Sequence, residues 1–242
     1  MYRIFIIAVA LLLCATQATT EEMAVEEKLK RSLSANFPGS LEISETPLKG
    51  LYEVVHNKSN IFYTDGNGDF ILQGSLIDVK QRKDLTQETL EVRLKPMRVE
   101  TLAELPADRF IEFGNPEAKH EVVVFTDVNC GYCRKLHDQR TRYSKYDIKV
   151  RYLLTPILSR NSTDKATSVW CADDRQAAMT DAKMGKEIPT VRCDAKLDEN
   201  VQILQDFNIR GTPAILLEDG TLLRGYKEPE EVLKEIELSK EG

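Results

Sequence analysis

The stretch that decides the fold runs from Val122 to His137 and has the sequence VVVFTDVNCGYCRKLH. Four consecutive apolar residues open it, and three of them are β-branched, which favours a buried strand. Residues 127–129 predict a turn, and a helix is expected to begin at the cysteine pair Cys130 and Cys133. The first cysteine is therefore expected at the N-terminus of a helix.

A cysteine in that position is stabilised as a thiolate, because unpaired backbone N–H groups and the helix dipole favour negative charge there. The pKa of Cys130 is expected to fall from about 8.5 into the range of about 3.5 to 7.5. Cys133 lies one turn further along, where it can attack a mixed disulfide formed at Cys130, and Gly131 and Tyr132 occupy the turn between them. The pair predicts reversible thiol–disulfide exchange.

The same cysteines are compatible with other uses. Covalent haem attachment is excluded, because Arg134 rather than histidine follows the second cysteine. Cys130, Cys133 and His137 could supply three zinc ligands, but the sequence has no second CxxC or close histidine pair to complete a closed site, so we predict no metal. Zinc and a purely structural disulfide remain as alternatives, and His137 is expected on the helix surface.

Composition sets the outer limits. The chain has 242 residues, of which 42% are hydrophobic and 30% charged, enough for a core of ordinary size and more consistent with two domains than one. The net charge of −6 comes from mixed acids and bases, so the sequence shows no nucleic-acid-binding patch.

The first 18 residues have the features of a signal peptide. Arg3 precedes an apolar run from Ile4 to Leu13, and the small-residue stretch 15–18 resembles a cleavage site. The segment is too short to span a bilayer, so we expect an exported protein. Cys14 would be removed with the peptide, although a lipoprotein remains an alternative.

The remaining cysteines are an even number in an oxidising compartment. Cys171 falls in a stretch of helical composition, Lys165 to Met184, and Cys193 follows a proline at position 189. A bridge between them would close a loop of about twenty residues, worth roughly 3 kcal/mol. We predict a structural disulfide that holds a helical insertion, with a second redox pair as the alternative.

Residues 21–80 predict a small first domain. A helix with one apolar face, from Met23 to Phe37, precedes four segments of strand character: 41–43, 51–55, 60–63 and 70–77. One helix covers one face of such a sheet and leaves an edge open, so a second copy of the chain is the expected partner.

Residues 81–107 predict a charge-rich linker helix. Pro96 lies inside it and predicts a kink or a break into two pieces, because proline lacks the N–H that a helix needs. A surface helix packed on its own domain remains an alternative to a free-standing linker.

Residues 108–242 predict the order of a thioredoxin fold. The helix after the cysteines is followed by a strand at Ile148–Leu154, a helix at Val201–Phe207, and two strands joined by a hairpin at Glu218–Gly220. A helix is expected from Pro229 to about Leu238. From the residues alone, Pro213 is a strand-opening proline.

Three segments, Phe125–His137, Val169–Ala172 and Gly211–Ala214, together closely resemble the DsbC/DsbG family of bacterial periplasmic disulfide isomerases. The resemblance implies a homodimer of mixed α and β structure, with a cystatin-like N-terminal dimerisation domain, a linker helix and a thioredoxin-like domain with a helical insertion. It implies thiol:disulfide isomerase and reductase activity on misoxidised exported proteins, with associated chaperone activity. Alternatives are a net disulfide oxidase and a protein that chiefly holds unfolded chains.

The resemblance also implies a role for each site residue. Cys130 would be the attacking thiolate and Cys133 the resolving thiol. Thr212 would precede a cis proline, Pro213, which packs against the active site and offers backbone groups to substrate. Cys171 and Cys193 match the family's structural disulfide. The implied reductant is an inner-membrane protein of the DsbD type, and no cofactor is required.

Overall fold

A computed structural model describes residues 24–241. The chain divides into two compact units, Met1–Arg93 and Leu94–Gly242. The predicted signal peptide and Cys14 lie outside the described residues. No helix within residues 24–241 has the length and apolar character needed to cross a membrane.

Over its described residues, the first unit combines a helix before the strands with an antiparallel sheet, as predicted. Residues 24–33 form helix α1, and the sheet has the order β1-β2-β3-β4. A separate two-stranded ribbon pairs β5 with β6. The strands are β1 Leu41–Glu45, β2 Leu51–His56, β3 Asn60–Asp65, β4 Ile71–Leu72, β5 Ile77–Asp78 and β6 Lys83–Asp84. The core is built from Leu33, Val54 and Phe62, and Phe37 packs on it although the helix has already ended.

The prediction of a single strand over residues 70–77 is wrong. Its two ends form β4 and β5, which belong to different sheets. Gly74 lies between them with φ of 155°, a conformation that residues with a side chain rarely adopt. The backbone therefore leaves the first sheet at this glycine.

Helix α2, Leu85–Glu104, runs without interruption through Pro96, so the predicted break into two pieces is wrong. Its first turn is capped by the Asp84 carboxylate, which accepts a hydrogen bond from the N–H of Gln87. From Leu94 onwards the helix belongs to the second unit, where the fully buried Arg98 donates hydrogen bonds to the carbonyls of Gly220 and Phe207. These contacts hold the second half of α2 on that unit.

The second unit contains a five-stranded sheet of order β11-β10-β8-β9-β7. Strands β8 and β9 are parallel, and the other neighbours are antiparallel. The strands are β7 Ile111–Phe113, β8 His120–Thr126, β9 Ile148–Leu154, β10 Ala214–Leu217 and β11 Leu222–Arg224. Alternate residues of β8 enter opposite cores, Val122 and Val124 on one face and Val123 and Phe125 on the other. Burial on both faces explains the continuous apolar run.

The helices of this unit differ in their bounds from those that the sequence pattern predicts. They are α3 Gly131–Asp138, α4 Arg140–Lys145, α5 Arg160–Trp170, α6 Arg175–Lys183, α7 Leu197–Asp206 and α8 Pro229–Glu241, preceded by a 3₁₀ turn at Ala107–Arg109. The prediction of a single helix over 165–184 is wrong, because α5 ends at Trp170 and a new helix, α6, begins at Arg175. Asp174 begins the second piece by accepting a hydrogen bond from the N–H of Ala177.

Candidate active site

The cysteine pair lies where β8 ends and α3 begins. Cys130 is the N-cap of α3, as the sequence predicts, and its carbonyl accepts the first helical hydrogen bond, from the N–H of Arg134. Both cysteines are free thiols. Cys130 keeps a small exposed area of 8%, whereas Cys133 is completely buried. Only the first sulfur can therefore meet a disulfide in another protein.

The two thiols differ strongly in acidity. A hydrogen bond from Cys133 lowers the pKa of Cys130 to about 5 against the opposing effect of partial burial, and the backbone N–H groups of Cys133 and Tyr132 help to lower it. Burial, and the hydrogen bond to Cys130, raise the pKa of Cys133 far above its ordinary value. Near neutral pH the pair is a thiolate at Cys130 and a thiol at Cys133.

A cis peptide bond joins Thr212 to Pro213 beside the cysteines. The carbonyl oxygen of Thr212 lies 3.1 Å from the sulfur of Cys130. The carbonyl of Pro213 accepts a hydrogen bond from the N–H of Gly225. The buried Thr212 hydroxyl has no protein hydrogen-bond acceptor or donor among the described residues. Two of the predicted site residues are thus in place around the reactive sulfur.

Asp127 fixes the turn before Cys130. Its fully buried carboxylate accepts a hydrogen bond of 2.8 Å from the N–H of Asn129, and bonds of 2.9 and 3.0 Å from those of Ile157 and Leu158. Its carbonyl also accepts a hydrogen bond from the N–H of Cys130. One side chain thereby joins the active-site turn to the loop after β9, a role that its prediction as a turn residue did not contain.

Lys183 is a residue that sequence reasoning missed. It ends α6 with only 2% of its surface exposed, and its ammonium donates to the Thr126 hydroxyl at 2.7 Å and the Asp127 carbonyl at 2.8 Å. Burial lowers the pKa of Lys183 to about 8. A lysine in a helix is usually a surface residue, so the sequence carries no signal of this position.

His137 is buried, and the expectation of a surface position is wrong. Its ring nitrogens lie 3.3 Å from the Tyr152 hydroxyl and 3.2 Å from that of Thr180, and Phe113 packs edge-on against the ring. Burial, together with the positive charges of Arg140 and Lys183, lowers the pKa of His137 to about 3. The imidazole is therefore neutral and packed in the core.

A disulfide joins Cys171 to Cys193, with their Cα atoms 5.7 Å apart. Cys171 is the C-cap of α5, and Cys193 lies in the segment that leads to α7. The bridge closes a loop that contains all of α6. It therefore restrains the helix that carries Lys183 and Thr180.

Titration of the reduced protein is expected to show one thiolate forming with a midpoint near pH 5. The measurement is far-ultraviolet thiolate absorbance, with the oxidised protein subtracted. Because this pKa lies below the value of about 8.5 for an unfolded cysteine, the reduced fold gains stability that is lost as the pH falls through 5. Cys130→Ser should abolish the transition, and Cys133→Ala should move it upward. A midpoint of about 8.5, the pKa of an unfolded cysteine, would contradict the assignment of Cys130 as a thiolate at neutral pH.

Comparison with known proteins agrees with this geometry. The family described as the disulfide bond isomerase protein N-terminal domain matches residues 16–87, and a thioredoxin-like domain family matches residues 108–240. The thiol:disulfide interchange protein DsbC of Dickeya dadantii is 33% identical over 221 residues, which cover 90% of this chain and 89% of that protein. The chain belongs to the DsbC family.

Other relatives lie in the same DsbC family or share part of its fold. The DsbC of Escherichia coli K12 is 31% identical over 213 residues, 86% of each chain. A linker-deletion mutant of Proteus mirabilis ScsC has a TM-score of 0.50 at 22% identity, over 64% of this chain and 88% of its own, a likeness of fold alone. As a member of the DsbC family with a thioredoxin-like domain, the protein is a thiol-disulfide oxidoreductase.

Proposed function

We propose that this protein is a periplasmic disulfide isomerase and reductase whose active site is Cys130-Gly131-Tyr132-Cys133. The observation that carries the proposal is the asymmetry of the two thiols. Cys130 has a lowered pKa and an exposed edge, whereas Cys133 is buried with a raised pKa. The first is therefore suited to attack another protein's disulfide and the second to act only after that attack.

In the isomerase cycle, the Cys130 thiolate attacks one sulfur of a non-native disulfide. A bond forms between Cys130 and that sulfur, the substrate's S–S bond breaks, and the other substrate sulfur leaves as a thiolate. A substrate thiolate then attacks a different disulfide sulfur of the substrate. Finally, a substrate thiolate attacks the mixed disulfide and releases Cys130 as a thiolate. The substrate ends with the same number of disulfides in a new arrangement.

The reductive exit uses Cys133. When no substrate thiolate resolves the mixed disulfide, the Cys133 thiolate attacks the sulfur of Cys130 and releases the substrate reduced. The enzyme then holds a disulfide and must receive two electrons before another cycle. We infer an inner-membrane donor of the DsbD type, because isomerisation needs Cys130 in its reduced form.

The Thr212-Pro213 loop is proposed to present substrate to Cys130. The Thr212 carbonyl already lies within 3.1 Å of the reactive sulfur, so a chain bound along this loop would pass the thiolate. Tyr132, Leu158 and Met184 are apolar side chains more than half exposed, next in sequence to residues that build the site. They are the surface to which we assign binding of unfolded segments, and with it an associated chaperone activity.

We further propose that residues 1–18 export the chain to the periplasm. An oxidising compartment fits the disulfide between Cys171 and Cys193. Residues 21–80 would then form a dimerisation domain, 81–107 the linker and 108–242 the catalytic domain. Phe70 and Val79 in the first unit expose 75% and 82% of their surfaces, and no strand among the described residues covers the outer edge of β1. A second copy of the chain is the proposed cover.

Recovery of activity from scrambled ribonuclease tests the proposal. Catalytic amounts of the reduced mature protein should restore ribonuclease activity, and its mass in solution should be that of a dimer. A monomer that fails with scrambled substrate but rapidly oxidises reduced ribonuclease would instead be a net oxidase. Suppression of aggregation by the Cys130→Ala, Cys133→Ala double variant measures chaperone activity in the absence of thiol–disulfide exchange.

A further inference from the structure

Lys183 is a buried charge beside the cysteine pair. Its ammonium contacts the Thr126 hydroxyl and the Asp127 carbonyl, and no carboxylate of residues 24–241 lies within ion-pair distance of it. A lysine buried without an ion pair is costly, because the charge loses its hydration. Such a cost, borne next to two reactive sulfurs, indicates a chemical use for the amine.

Thr126 connects this amine to Cys133. It is the last residue of β8, almost completely buried, and its hydroxyl accepts the hydrogen bond from Lys183 at 2.7 Å. Burial raises the pKa of Cys133, and the positive charge of Lys183 and the Thr126 side chain oppose that rise, so both groups lie close enough to act on this sulfur. Cys133 is completely buried, so water cannot reach its proton directly. The structure offers this proton a path from the Cys133 sulfur to the Thr126 hydroxyl and on to the Lys183 amine.

We propose that Lys183 takes up the proton that Cys133 must release before it attacks the mixed disulfide, with the Thr126 hydroxyl relaying it. This role rests on the proposed function of Cys133 as the resolving thiol. The neutral amine accepts the hydroxyl proton of Thr126 while Thr126 accepts the proton of Cys133, which leaves an ammonium and a thiolate. Because Lys183 reaches the sulfur through Thr126, it is a positioning residue.

The attack that follows is an ordinary exchange. The Cys133 thiolate forms a bond to the sulfur of Cys130, the bond between Cys130 and the substrate breaks, and the substrate sulfur leaves with the electron pair as a thiolate. Two thiol equivalents are oxidised in the enzyme as one disulfide is reduced in the substrate. No oxidant or reductant beyond the two disulfide partners is needed.

The charges around Lys183 favour proton uptake at this step. Cys130, Cys133 and Asp127 raise the pKa of Lys183, whereas Arg134 lowers it, and the nearby His137 is neutral. A mixed disulfide removes the negative charge of Cys130 and leaves Asp127 and Arg134 unchanged. Loss of that negative charge lowers the pKa of Lys183 from about 8, so the neutral amine becomes more abundant when Cys133 has to lose its proton.

Stopped-flow reaction of the reduced full chain with dithiobis-nitrobenzoate separates the two cysteines. The first equivalent of coloured thionitrobenzoate is released when Cys130 attacks the reagent. The second is released when Cys133 attacks the resulting mixed disulfide. In Lys183→Met, Lys183→Arg and Thr126→Val we expect the second phase to be slower by roughly 100-fold at neutral pH, with the first phase nearly unchanged. Arginine keeps the charge but cannot act as a base, and valine keeps the shape of threonine without its hydroxyl.

Lys186→Met is the matched control, because Lys186 lies just beyond α6 in an exposed ion pair with Asp181. It should keep both phases, and a retained first phase in the other variants shows that their sites are folded. In the parent protein, the second-phase rate should rise with pH and level off below pH 8, a plateau that Lys183→Met should lose.

A parent-like second phase in Lys183→Met or in Thr126→Val would overturn the relay. A second-phase rate in Lys183→Arg equal to that of the parent would overturn proton uptake, and would show that Lys183 acts through its positive charge alone. A parent protein that released only one thiolate would overturn the proposed role of Cys133 itself.

Discussion

Replacement of Cys130 by serine is expected to reduce disulfide isomerisation to the uncatalysed rate. A serine hydroxyl is not ionised near neutral pH and cannot displace a thiolate from a disulfide, whereas the Cys130 sulfur, with a pKa of about 5, is almost fully ionised. The buried Cys133 cannot substitute for it, since none of its surface is exposed. The measurement is recovery of activity from scrambled ribonuclease.

Cys133→Ser is the comparison for that variant. It leaves the attacking sulfur in place and removes the resolving one, so mixed disulfides with substrate should accumulate and be visible in non-reducing gels. Isomerase activity in Cys130→Ser equal to that of the parent protein would mean that the active site lies elsewhere.

Replacement of Asp127 by alanine is expected to lower the free energy of unfolding by about 3–5 kcal/mol, because each donor left without its charged acceptor costs about 1–3 kcal/mol. Three backbone N–H groups would lose their acceptor, and Lys183 would lose a nearby negative charge. The measurement is urea unfolding of the oxidised protein, followed by the fluorescence of Trp170, the only tryptophan of the chain. That residue lies in the second unit, so it reports on the affected part.

Asp138→Ala is the control for that experiment, because Asp138 is an exposed carboxylate at the end of α3. Its removal should change the free energy of unfolding by no more than about 0.5 kcal/mol. A similarly small effect in Asp127→Ala would show that the backbone groups around the turn find water or other acceptors, and that this carboxylate does not hold the site together.

The sequence predicts the active-site strand, the turn and the position of Cys130 because these depend on residues close together in the chain. An apolar run, a turn and a helix start are local features, and residues 122–133 contain all three. The strand predicted at 70–77 failed because the pattern of apolar residues does not report the conformation of Gly74. Composition likewise favoured one helix over 165–184, although the Asp174 cap starts a new one.

The environment of the site could not be predicted in the same way. Lys183 and His137 are polar residues in helices, and their burial depends on how α3 and α6 pack against the sheet. Lys183 and Thr126 are far apart in the sequence, so no periodic pattern of residues predicts their contact. Contacts of this kind are set by the tertiary structure, so only the folded chain places the Lys183 ammonium against Thr126 and Asp127.

The bridge between Cys171 and Cys193 gives this protein a maturation requirement of its own. In the proposed cycle the chain works with one cysteine pair reduced and another oxidised, so its compartment would supply both an electron donor and an electron acceptor. Until the second pair has been oxidised, nothing covalent closes the loop that holds α6. On the proposed function, a newly made copy is thus first a recipient of disulfide formation and then a catalyst that corrects the disulfides of others.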